Sequence, residues 1–306
     1  MDVRSLRVTP FVAFVLLTFL LGGALWVLYF TFGGSWQDPS SSILRLAYGW
    51  TPLLAALLLR RSYPFPDEER VSVRWLLLAW LLPVLLLLGA VALAIALPSL
   101  TFSTETNEVI ARLSQTLSAQ DVQTVRAQFD QYALHPFWIG LAEGLLLGGT
   151  LYAVFYLGEE VGWRGFLFRS LQSHGFWTAS LVTGFVWGCW LVPLAFFQNA
   201  TGSNPLLAIP LTFAWAIAAS PILQCLRTRT HSSFAPAVFR GTMEALLPLP
   251  LLAVSSTNLL LIGGKGIAGI AVLLLADCVL LLRRPTCPPA PPTPRFQKRK
   301  KKPTRT

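Results

Sequence analysis

Glu159, Glu160 and Arg164 stand in the run Glu159-Glu160-Val161-Gly162-Trp163-Arg164, at the inner end of a long apolar stretch. Carboxylates at membrane depth are costly, and they persist where they pair or do chemistry. A spacing of four puts Glu160 and Arg164 on one face of a helix, so these two are expected to pair. Glu159 then points about 100° away and is free to face the interior of a bundle. A partly buried carboxylate so placed suits general-base work on a water molecule. The other reading is an ion pair at headgroup level that ends a transmembrane helix. Spacing alone leaves both open.

A second charged pair lies further on. Arg240 falls about eight residues inside an apolar stretch, roughly 12 Å deep at the helical rise. An unpaired arginine at the bilayer centre costs ~2.5–3.5 kcal/mol on insertion scales, so it needs a partner. Glu244, four residues on, is the local candidate. Lys265 lies among Gly263, Gly264 and Gly266 and is expected to snorkel outward. The chain has three histidines. His135, His174 and His231 fall in loops or at the ends of apolar stretches, where they read as interfacial residues. The four cysteines show no metal-ligand spacing, and neither a metal nor a cofactor is expected.

The elements that must position these residues follow from composition. Of 306 residues, 54% are hydrophobic and 12% charged, about half the charged share of a soluble domain. Mean hydropathy is +0.59. A large soluble core is excluded in favour of an all-α, polytopic transmembrane helix bundle. A helix needs about 20 apolar residues to cross a bilayer. About eight stretches qualify: 9–32, 43–59, 75–98, 137–157, 177–198, 205–226, 233–252 and 258–282. The first exceeds the h-region of a cleaved signal peptide and suits a retained span. Gly184 and Gly188, four apart, offer a small-residue face for close helix packing. With eight spans, 19 of the 24 Lys and Arg fall on one side, which puts both termini in the cytoplasm.

Two segments stand apart. The outer loop 99–135 is polar, and 106–132 within it has helical periodicity consistent with a helix along the membrane surface. The net charge of +10 is concentrated at the C-terminal end, where nine cations follow Leu282. Six prolines between 285 and 294 favour an extended spacer, and Lys298 to Lys302 is an unbroken basic run. This tail is expected to contact anionic lipid headgroups, and a nucleic-acid partner is not expected. The reading divides the chain into 1–136 (three spans and the outer loop), a core 137–282, and a disordered basic tail 283–306.

Gly158-Glu159-Glu160-Val161-Gly162-Trp163-Arg164-Gly165 closely resembles the first motif of the CAAX prenyl protease and bacteriocin-processing family of intramembrane glutamic endopeptidases. Gly184-Phe185-Val186-Trp187-Gly188-Cys189-Trp190-Leu191-Val192-Pro193-Leu194 is similar to the second, G-x-x-W-G-x-W-H-x-P-L. The third, H-x-x-x-N, falls on Arg240 to Glu244. The resemblance implies a bundle of about eight spans in the membrane, most naturally a bacterial plasma membrane. It also implies hydrolysis of a peptide or prenylated protein by a glutamate-activated water. Glu159 carries over as the water-activating residue, with Glu160 and Arg164 as its structural pair. The second-motif histidine, which helps activate the water, is Leu191. The third-motif histidine and asparagine, which hold the oxyanion, are Arg240 and Glu244. A peptidase impaired by these changes is one expectation. A non-catalytic protein binding a peptide or partner is another, and an unrelated scaffold or transporter-like bundle a third. Family geometry also makes Glu159 a distant partner for Arg240, which would turn a proton-transfer centre into a static ion-pair cluster.

Overall fold

The computed structural model describes residues 9–36, 38–60, 68–97, 100–102, 105–114, 119–131, 134–198, 205–255, 258–283 and 285. Among these, every extended element is a helix: α1 (Pro10–Thr31), α2 (Ser41–Gly49), α3 (Thr51–Leu59), α4 (Val73–Ile95), α5 (Thr106–Leu113), α6 (Ala119–Asp130), α7 (Pro136–Leu147), α8 (Ala153–Glu160), α9 (Phe168–Leu171), α10 (Phe176–Gln198), α11 (Pro205–Thr230), α12 (Phe234–Leu246), α13 (Leu249–Ala253), α14 (Leu259–Ile262) and α15 (Ile267–Arg283). The chain is an all-α integral-membrane bundle. Its basic, proline-rich tail, save Arg283 and Pro285, lies outside the described residues, as do Arg4, Arg7 and Arg61 of the charge pattern.

Six helical runs among the described residues are long and apolar enough to cross a membrane. They correspond to the first six expected spans. The seventh expected span is broken: α12 stops after 13 residues, and Pro248 caps a short new helix, α13, whose second residue is Pro250. The eighth is broken by a turn in which Gly266 N donates to Gly263 O, leaving 17 residues for α15. The fourth differs in the other direction. Its apolar stretch was expected to end at 157, but the helix runs from Pro136 to His174, 39 residues. Two π-helical segments, Gly148–Tyr152 and Val161–Leu167, lie within it. Glu159 and Glu160 therefore sit inside the helix, not at its end. Glu159 is 23 residues from Pro136 and 15 from His174.

Close backbone approaches lock the helices that carry the charges. A Cβ on Gly241 would lie 2.5 Å from Ala153 N and 2.6 Å from Gly148 O. α12 thus touches the fourth span backbone to backbone. A Cβ on Gly184 would meet Ile217 Cα and Ser220 Cβ at 2.9 Å, so the small-residue face of α10 is used against α11. The start of α12 is held from afar. The Glu68 carboxylate accepts from Ser233 N at 2.6 Å and Ser233 Oγ at 2.7 Å, and lies 3.5 Å from Arg227 Nη2. Such a carboxylate satisfies backbone donors that a helix leaves open and suits its positive end.

The outer segment is helical as its periodicity indicates. α5 buries Val109 and Ile110, while α6 buries nothing. Thr101 and Phe102 tie this segment to Val254 and Ser255 through backbone and hydroxyl hydrogen bonds. The core beneath is rich in indole: Trp163, Trp187, Trp190 and Trp215 are all fully buried.

Candidate functional site

Glu160 lies at the start of the second π-helical segment. Its Oε1 accepts from Arg164 Nη1 at 3.0 Å, and both side chains are wholly buried. The expected pair is present. The Arg164 guanidinium also lies 4.1 Å over the ring of Trp187. A carboxylate and an aromatic face together offset the cost of burying this cation. Glu160 and Arg164 do not border the cavity described below. They form a sealed structural pair behind it.

Glu159 turns the other way, as the helical rotation requires. Its Oε2 accepts from Trp187 Nε1 at 3.3 Å. Its Oε1 faces Gly49 on α2, where a Cβ would lie 3.5 Å away. Glu159 borders a cavity of about 540 Å³. A helix wholly regular from Pro136 to His174 would set a different angle between residues before and after each π turn, because each such turn adds a residue. Gly148 and Gly162 allow those turns to pack tightly, against Thr242 and Pro52 respectively.

Leu191, Arg240 and Glu244 border the same cavity. The three positions where the family motifs carry their other functional side chains thus gather around Glu159. Arg240 is buried, pairs with Glu244, and lies over three rings: Tyr156 at 4.3 Å, Trp215 at 5.0 Å and Trp187 at 5.3 Å. Of the two partners open to it, Glu244 is the one it holds. Among the described residues no ion pair joins Arg240 to Glu159, and the indole of Trp187 touches both side chains instead. Lys265 does not snorkel outward. The glycine turn before α15 directs it inward, 3.0 Å from Glu244 Oε1 and 5.2 Å over Trp215. One carboxylate therefore serves two cations.

No histidine borders the cavity. His135 caps the start of α7, where its ring accepts from Phe137 N. His174 ends the long helix, about 22 Å along its axis from Glu159. His231 precedes α12 with φ of 50°. Among the described residues no group of three His, Cys, Asp or Glu side chains is placed to hold a metal ion.

Sequence reasoning missed Trp187, Tyr156, Trp215 and Gly49. Tyr156 was findable, one turn before Glu159. Trp187 stood inside a motif already quoted, but nothing in its type announces a hydrogen bond to a carboxylate. Gly49 comes from the N-terminal part of the chain, so the cavity draws on 41–49 as well as on the core.

Comparison with known proteins agrees with the motifs. Residues 140–246 match the family described as Type II CAAX prenyl endopeptidase Rce1-like. A stretch of 43 residues, 14% of this chain, is 46% identical to CAAX prenyl protease 2 of Methanococcus maripaludis. That stretch spans 16% of the relative's length.

Proposed function

We propose that this chain, whose residues 140–246 match the Type II CAAX prenyl endopeptidase Rce1-like family, is a non-hydrolytic member that binds a membrane-borne peptide. One observation carries the reading: Glu159 opens on a cavity whose walls hold Leu191, Arg240 and Glu244, and no imidazole. A general base needs its proton partners within about 2.6–3.2 Å or one water, and such help is typically worth about 10²–10⁴-fold. Leucine can neither hold nor pass a proton. Arg240 is engaged with Glu244 and three aromatic faces, so it stands in a fixed cluster. What remains is a membrane-embedded pocket with the family's frame. Its ligand would be a peptide or a prenylated protein segment entering from the bilayer of a bacterial plasma membrane. The functional unit is the core 137–282, with Ser42 to Gly49 closing one side of the cavity, and the basic tail 283–306 would rest on anionic headgroups.

The test is cleavage of farnesylated and unmodified peptides by the full chain in proteoliposomes, with binding measured in parallel. The expected result is binding without cleavage above empty vesicles. A second arm carries Leu191→His, Arg240→His and Glu244→Asn together, and should gain cleavage that Glu159→Gln abolishes. Cleavage by the unaltered chain that depends on Glu159 would overturn the proposal.

A further inference from the structure

The charges around the cavity are unevenly matched. Arg45, Arg240 and Lys265 border it against Glu159 and Glu244. Glu244 is shared by Arg240 and Lys265, so each cation has part of one carboxylate. Glu159 forms an ion pair with neither and accepts a hydrogen bond from Trp187. Arg240 is only 2% exposed, yet its Nε has no hydrogen-bond partner. A guanidinium presents five donors in a planar fork that matches carboxylate and phosphate oxygens. The cavity is thus lined by three cations against two carboxylates.

The mouth is of opposite character. Ile43 is 71% exposed and Leu46 41% exposed, on the apolar run Ser41–Leu59 that is long enough to cross a membrane. Both border the cavity, as do Leu191 and Leu194 further in. Arg45 stands beside them, its guanidinium 5.2 Å over Trp36 and bonded to Ser42 Oγ at 2.7 Å. A lipid-facing apolar rim leads over apolar walls to the Arg240–Glu244–Lys265 cluster. The volume of about 540 Å³ falls within the range of about 300–1,000 Å³ usual for small-molecule sites.

We infer that the cavity takes an anionic amphiphile, a carboxylate or phosphate head on a single hydrocarbon chain. The head sits against the outer side of the Arg240–Glu244–Lys265 cluster, nearest Lys265, and the chain leaves past Ile43 and Leu46 into the bilayer. The inference rests on the reading that the cavity holds a ligand without cutting it.

The experiment uses the full chain in nanodiscs of neutral lipid, titrated with hexadecanoate, hexadecyl phosphate and methyl hexadecanoate. Both anions should bind, and the methyl ester should bind about tenfold more weakly or worse, the loss expected for a charge-assisted hydrogen bond. Lys265→Gln should weaken the anions by a similar factor and leave the ester unmoved. Glu159→Gln, which removes a like charge from the wall, should tighten the anions. Inorganic phosphate alone should not displace hexadecyl phosphate at matched concentration. Equal affinity for acid and ester, a Lys265→Gln effect common to both, or full displacement by inorganic phosphate would overturn the inference while leaving the non-hydrolytic reading intact. Glu159-dependent peptide cleavage would overturn that reading and leave the acid–ester comparison standing.

Discussion

Replacing Arg240 by methionine keeps an unbranched apolar stem and removes the charged guanidinium. The structure sets the cost in two parts. The first is the pair with Glu244. Stranding one member of a buried ion pair costs about 3–5 kcal/mol. Here Glu244 keeps Lys265 at 3.0 Å, so the loss falls toward that of a hydrogen bond to a charged group, about 1.5–3 kcal/mol. The second part is the contact with Tyr156, Trp187 and Trp215, worth about 0.5–2 kcal/mol for a desolvated cation. The methionine sulfur recovers about 0.3–1.5 kcal/mol against the same rings. The net expectation is a loss of about 2–4 kcal/mol. Glu244→Gln should cost at least as much, because it leaves Arg240 and Lys265 buried side by side with no carboxylate. The double variant should cost less than the sum, with a coupling of about 1.5–3 kcal/mol. Reversible unfolding in mixed micelles, followed by near-ultraviolet circular dichroism of the buried indoles, reads all three. Additivity to within about 0.5 kcal/mol would refute the argument, since the pair would then carry no energy of its own.

Three further outcomes follow from single contacts. Gly241→Val should abolish folding or cost more than about 3 kcal/mol, because backbone atoms at 2.5–2.6 Å cannot give way; normal yield and stability would remove the close crossing. Glu68→Ala should cost about 1–2 kcal/mol, the scale of a lost helix cap, and should raise amide exchange at Ser233 and Phe234 first; uniform exchange would count against the cap. Trp187→Phe keeps a ring beneath Arg164 and Arg240 but removes the donor to Glu159, so a loss of about 1–2 kcal/mol that vanishes in a Glu159→Gln background is expected; an undiminished loss there would assign the effect to packing.

Much of the frame was legible because apolar length is a strong signal. Six of eight expected spans coincide with helices able to cross a membrane. The breakers of the other two, Pro248, Pro250 and the Gly263–Gly266 turn, were visible in the sequence, but hydropathy alone passes over them. The Glu160–Arg164 pair followed from spacing, since a helix fixes the relation of residues four apart. The depth of Glu159 did not follow. A hydropathy window ends at the first charges, whereas the helix continues because those charges are met inside the bundle by Arg164 and Trp187. Lys265 was misjudged for a related reason. Its flexible stem reaches water or a buried carboxylate equally well, and only the turn before α15 decides which. The contribution of Gly49 and Arg45 to the cavity is a long-range contact between segments over 100 residues apart, which no local pattern encodes.

The departures at 240 and 244 belong together on physical grounds. A histidine and an asparagine can both sit neutral at membrane depth, each needing only hydrogen-bond partners. An arginine there cannot shed its charge, and its cost of ~2.5–3.5 kcal/mol calls for a carboxylate on the same wall. Glu244 supplies that carboxylate one turn away, and Lys265 then leans on the same group over Trp215. The two single changes are unequal: without Arg240, Glu244 keeps Lys265, whereas without Glu244 two buried cations are left with no carboxylate between them. Glu244 is therefore the less replaceable of the two, since it serves both cations. The cluster occupies the positions where the family's third motif carries polar side chains, and it borders the same cavity as Glu159.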